Sequence, residues 1–106
     1  MVSVIGSGNV GANAAFFVAE TGAADVLLYD LKEGVSAGKA LDMMEAAPIR
    51  TYRTVVRGID SVEDIAGSST VVIAAGRVRE PGMSRLDLLE DNDPVIEDLA
   101  RTVAGL

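Results

Sequence analysis

Residues 6–11, Gly6-Ser7-Gly8-Asn9-Val10-Gly11, read G-x-G-x-x-G, a spacing suited to holding phosphate. In a chain with 11 glycines the pattern alone carries little, but here it directly follows a short apolar run and opens a helical stretch. Gly6 permits a tight turn, Gly8 lets a pyrophosphate approach the backbone, and Gly11 lets the helix pack close to the strand. The helix N-terminus then offers free N–H groups and the positive end of its dipole. Asp30 stands 19 residues after Gly11, at the end of a second apolar run. A carboxylate there accepts hydrogen bonds from both hydroxyls of an adenine ribose and repels a 2′-phosphate. Residue 31 is Leu, so no cation follows at once to offset that repulsion. A lone acid at a strand end is an ordinary turn residue. Combined with the three glycines, it predicts a dinucleotide site that prefers NAD to NADP.

A second group is cationic. Arg77, Arg79 and Arg85 flank Pro81-Gly82. Arg forms bidentate bonds with carboxylates and stays charged at any working pH. From charge alone the simpler reading is a solvated loop whose arginines offset nearby acids. Composition removes other chemistry. Among 106 residues there is no Cys and no His. The first absence excludes disulfides, thiol nucleophiles and thiolate metal sites. The second removes the commonest general base and metal ligand, and no metal site is expected. Sixteen acidic against nine basic side chains give a net charge of −7, which argues against a nucleic-acid or anionic-membrane partner.

The elements that must position these groups follow from hydrophobic patterning. Hydrophobic residues make up 49% of the chain, enough for a packed core, and the length suits one domain. Residues 2–5 predict a buried parallel strand stopping at Gly6. Residues 8–20 predict a helix, with Val10, Ala14, Phe17 and Val18 at helical spacing and Gly22 as its stop. Residues 26–29 form a second strand. Residues 34–47 predict a second helix ended by Pro48. Residues 51–57 read as a weaker strand toward a sheet edge. A short helix at 61–66 follows, with Ser61 as N-cap and Gly67 at its end. Residues 70–75 form the clearest strand, then a loop at 76–84, then a helix from Arg85 toward Leu106 with a bend near Pro94. This alternation implies an α/β fold, a doubly wound parallel sheet with right-handed crossovers.

On a helical wheel, Ala37, Ala40, Leu41, Met44 and Ala47 share one face of the second helix. Val35, Met43 and Ala46 fall among the polar residues opposite. Those three are either scattered surface apolars or a second burial surface, such as a subunit contact. No apolar run approaches the length of a membrane span and no targeting segment is visible, so a soluble cytoplasmic protein is expected.

Four segments together resemble the N-terminal half of malate dehydrogenases of the type related to lactate dehydrogenase. They are residues 6–11, Tyr29-Asp30, Gly38-Lys39-Ala40-Leu41-Asp42-Met43, and Ala75-Gly76-Arg77-Val78-Arg79-Glu80-Pro81-Gly82-Met83-Ser84-Arg85-Leu86-Asp87-Leu88-Leu89. The similarity spans nearly the whole chain. It implies that Gly6, Ser7, Gly8, Asn9, Val10 and Gly11 hold the NAD pyrophosphate and Asp30 the adenosine ribose. Ala75, Gly76 and Asn92 join the cofactor set. It implies that Arg79 pairs with the distal carboxylate of malate or oxaloacetate, where lactate dehydrogenases usually carry Gln. Arg85 matches the arginine that closes over substrate and polarises its carbonyl. The second helix matches one used in subunit contact, so a homo-oligomer, dimer or tetramer, is implied.

The sequence departs from the pattern at Glu80, where the family commonly has a basic residue. Six acids without a base (Asp87, Glu90, Asp91, Asp93, Glu97 and Asp98) lie between residues 86 and 98, most simply as a solvated helix face. The resemblance also implies a fold of which residues 1–106 are an N-terminal Rossmann portion. Four strands are expected in the order 3-2-1-4, with one flank of strand 4 open. The family's proton-transferring His, the Asp that orients it and a further substrate Arg would lie beyond residue 106, so the chain is expected to be a piece of a longer protein. A lactate or other 2-hydroxyacid dehydrogenase, or a non-catalytic NAD-binding module, remain alternatives.

Overall fold

In the computed structural model, which describes residues 1–76 and 81–106, the four apolar runs become four strands of one parallel sheet. These are β1 (Val2–Ile5), β2 (Val26–Tyr29), β3 (Val56–Ile59) and β4 (Thr70–Ile73), in the order β3-β2-β1-β4. The register is regular: Val4 pairs with Leu28 and with Val72, and Leu28 with Gly58. The helices are α1 (Asn9–Thr21), α2 (Val35–Arg50) and α3 (Arg85–Ala104), with a 3₁₀ turn at Val62–Ile65. The order expected from sequence is thus observed.

Strand alternation divides the core in two. Val4, Val26, Leu28 and Val56 face α1 and α2, packing on Ala15, Ala19, Ala40, Met43 and Tyr52. On the other face, Ile5, Leu27 and Ile59 meet Ile65 of the 3₁₀ turn and Leu99 of α3. Ser3 is buried on that face, its hydroxyl 2.6 Å from that of Ser68. The crossovers after β1 and β2 place their helices on one face and α3 follows β4 on the other. Val72 of β4 therefore lies uncovered on the α1 side, at 37% exposure.

Several expected details are corrected. The strand expected at 51–57 begins only at Val56, and the one expected at 70–75 ends at Ile73. Tyr52 is instead buried under the end of α2, its hydroxyl donating to the Met43 carbonyl, so the chain joins the sheet late. The helix expected to end at Pro48 runs on to Arg50. Pro48 sits in the last turn, where its missing N–H forgoes a single bond, the one to the Met44 carbonyl, and Arg50 anchors that turn from outside. Its Nε donates to Glu20 Oε1 of α1 at 2.9 Å, and its guanidinium lies 6.0 Å from the Phe16 ring centre.

The helix faces are also rotated from expectation. α1 buries Gly11, Ala15 and Ala19, while Val10 and Phe17 are exposed. Small residues face inward because α1 lies close on the sheet. α2 buries Ser36, Ala40 and Met43, leaving Leu41 exposed. Gly58 explains that rotation: a Cβ on it would stand 2.7 Å from the Ala37 Cα, so strand and helix backbones touch there. α3 continues through Pro94 as one helix. No helix among the described residues is long and apolar enough to cross a membrane.

Candidate functional site

The three motif glycines differ in what confines them. Gly6 has φ +103, and a Cβ on it would lie 2.6 Å from the backbone of Ala74 and Ala75, so it is fixed by conformation and by contact with the end of β4. A Cβ on Gly11 would lie 1.7 Å from the Gly6 carbonyl oxygen, so α1 can begin here only without a side chain. A Cβ on Gly8 would meet nothing within 4 Å. Among the described residues no neighbouring atom requires Gly8, which faces open space. Gly8 is also the N-cap of α1 and supplies no side-chain cap, and the first turn holds no acid. The orphan N–H groups of that turn are therefore not capped by a side chain of their own helix.

The turn is laced to the end of β2. The Gly6 N–H donates to the Tyr29 carbonyl at 2.7 Å, and the Ser7 hydroxyl to the same oxygen at 3.3 Å. The Ser7 N–H donates to Asp30 Oδ2 at 2.7 Å, and the Lys32 N–H to Asp30 Oδ1 at 2.8 Å. Asp30 thus reaches the glycine turn directly.

A cleft of about 530 Å³ opens at the carboxyl ends of β1, β2 and β4, within the range of small-molecule sites. Gly6, Gly8, Asp30, Ala75, Gly76 and Asn92 line it, six of the residues singled out from sequence. This is the switch point, where strand order reverses between β1 and β4. The other expected residues lie differently. Ser7 is fully buried behind the turn, Asn9 and Val10 are exposed on the first turn of α1, and Gly11 is buried beneath it. Arg85 is exposed as the first residue of α3, inside the Ser84–Asp87 capping box, and is not among the residues lining the cleft. Arg77, Arg79 and Glu80 fall outside the described residues.

Spacing alone did not single out Leu31, Lys32, Ala74, Asp91 and Val95, the other described residues that line the cleft. A signal for α3 was nevertheless present. Leu88, Val95, Leu99 and Val103 form its inward stripe, and Asn92 is the polar member of that stripe. Its side-chain nitrogen would lie 3.4 Å from a Cβ on Gly76, so Gly76 and Asn92 fit against one another. All six acids between residues 86 and 98 are exposed, as a solvated face requires, though Asp91 also borders the cleft.

An extended dinucleotide fits this arrangement. The open backbone at Gly8 and the Asp30 carboxylate line the same cleft.

Comparison with known proteins agrees with that geometry. The family model described as the NAD-binding domain of lactate/malate dehydrogenase matches residues 1–106. The malate dehydrogenase of Heliobacterium modesticaldum is 45% identical over 103 residues, covering 97% of this chain and 33% of that protein. Among solved structures, the malate dehydrogenase of Aeropyrum pernix superposes with a TM-score of 0.90 at 37% identity, covering 97% of this chain and 33% of the other. That of Archaeoglobus fulgidus, solved in complex with NADH, gives 0.88 at 32% identity, covering 99% and 36%. The chain spans about a third of the length of the curated relatives it matches.

Proposed function

The chain belongs to the lactate/malate dehydrogenase family, as its NAD-binding domain, and from that premise we propose that it is the cofactor-gripping part of an NAD-dependent malate dehydrogenase. The single observation that carries the proposal is the open space at Gly8. Gly6 and Gly11 are confined by protein, whereas Gly8 lines the cleft with open space where a side chain would stand, which leaves its backbone accessible to a phosphate.

In this reading the residues divide the work. Residues 6–11 and the first turn of α1 hold the pyrophosphate through backbone N–H groups. Asp30 accepts the adenosine ribose hydroxyls and disfavours a 2′-phosphate. Ala75, Gly76 and Asn92 form the opposite wall, toward the nicotinamide end. Bound NAD supplies hydride exchange with the substrate carbon. Arg79 pairs with the distal carboxylate of malate or oxaloacetate, and Arg85 closes over the substrate and polarises its carbonyl. Both roles rest on the sequence resemblance. The 106 residues contain no His, so proton transfer falls to residues outside them, and this piece alone binds NAD without oxidising malate at an enzymatic rate.

The whole protein is proposed to be cytoplasmic and homo-oligomeric. Exposed Leu41 and Ile49 on α2 support a subunit contact on that helix, through residues other than those expected from the wheel.

The test compares substrates in the whole protein. Oxaloacetate should be reduced with NADH far better than pyruvate, and Arg79→Gln should move the ratio of the two activities toward pyruvate. A strong native preference for pyruvate would assign the protein to the lactate branch, and an unaltered ratio in the variant would remove Arg79 from substrate choice.

A further inference from the structure

Asp30 is engaged before any ligand arrives. Both its oxygens already accept backbone N–H groups, from Ser7 at 2.7 Å and from Lys32 at 2.8 Å. These are the short lengths of charge-assisted bonds. Ser7 is 0% exposed, so without Asp30 its N–H would lose its partner inside the protein. We propose that the Asp30 carboxylate is a positioning residue for the glycine turn, bracing the Ser7 peptide so that the following N–H groups are aimed into the cleft. The proposal rests on the NAD-binding reading, and it gives Asp30 a role beyond meeting the ribose.

The chain around Ser7 explains why a brace matters. The Ser7 peptide leads directly into Gly8, the N-cap of α1, which has no side-chain cap of its own. Among the described residues no atom stands against the open side of Gly8. The other links run from Gly6 N–H and Ser7 Oγ to the Tyr29 carbonyl, so among the described residues Asp30 is the acceptor that fixes the Ser7 amide. A carboxylate has about four acceptor positions. Two hold the loops and two remain for ribose hydroxyls, so both roles fit one side chain.

The two roles predict opposite signs for a ligand without those hydroxyls. If Asp30 served the ribose alone, Asp30→Ala would leave binding of a 2′,3′-dideoxyadenosine analogue of NAD unchanged, or tighten it by removing a negative charge near two phosphates. If Asp30 braces the turn, the same substitution weakens the analogue by roughly tenfold, the scale of a lost hydrogen bond to a charged group.

The experiment uses the whole protein carrying these residues. It measures Kd for NAD and for the dideoxy analogue, and the hydrogen-exchange rate of the Ser7 amide without ligand. Asp30→Ala is compared with the isosteric Asp30→Asn, which keeps one acceptor and serves if the Ala variant does not fold. The brace predicts weaker analogue binding and faster Ser7 exchange in the variants. Unweakened analogue binding, or unaltered Ser7 exchange, overturns it. An unsubstituted protein that binds neither nucleotide would overturn the NAD-binding reading instead, and the ligand-free Ser7 exchange would still decide the brace.

Discussion

The two walls of the cleft are built differently. On one side, the glycine turn, α1 and the end of β2 form a close-packed unit. Backbone approaches backbone at Gly6 and Gly11, and three residues of α1 and three of α2 are buried. On the other side, α3 has 20 residues and Leu99 is its one buried residue, and β4 beside it carries Val72 at 37% exposure on its opposite face. The first wall specifies its shape by excluding side chains. The second leans on the sheet through one stripe and presents acids to solvent. A cofactor grip needs fixed donors, and the first wall supplies them.

The contrast can be broken most decisively at Gly11. Gly11→Ala places a methyl 1.7 Å from the Gly6 oxygen, and backbone cannot yield as a flexible side chain would, so about 3 kcal/mol or more of stability should be lost in urea unfolding. Tolerance of that change would show the first wall to be as pliant as the second. On α3, Leu99→Ala should cost about 2 kcal/mol, the low end for a buried leucine, because Val95 and Val103 beside it on the helix are half-buried and can close in over the buried Ile5 and Ile65. Leu89→Ala, at a residue 53% exposed, should stay within about 0.5 kcal/mol. Equal losses at the two leucines would mean that the stripe is not what holds α3.

Sequence made the first wall more legible than the second. The glycine spacing and Asp30 could be read because each signal is local: a strand stops, a turn needs glycine, a helix starts. The alternation of elements implied the parallel sheet, whereas the strand order came with the family resemblance. Helix faces were less legible. Val10 and Phe17 looked like core and are exposed, since the closeness of α1 to the sheet selects Gly11, Ala15 and Ala19 instead. Tyr52 looked like part of a strand, but its hydroxyl bonds to the Met43 carbonyl. The bond from Ser7 to Asp30 joins residues 23 apart, which no local pattern reports. Asn92 entered only through the family resemblance, although its place in an apolar stripe set it apart.

Gly8→Ala gives the smallest expected change in stability and the most direct test of the cofactor grip. The backbone there is extended, at φ −72, and a Cβ meets no protein atom. Losing a preferred N-cap residue and reducing the freedom of the unfolded chain should nearly cancel, within about 0.5 kcal/mol. NAD titrated calorimetrically into the whole protein and this variant should bind at least about tenfold more weakly to the variant, because the methyl occupies the phosphate's approach. An equally folded variant that binds NAD as tightly as the unsubstituted protein would contradict the assignment of this turn to the cofactor.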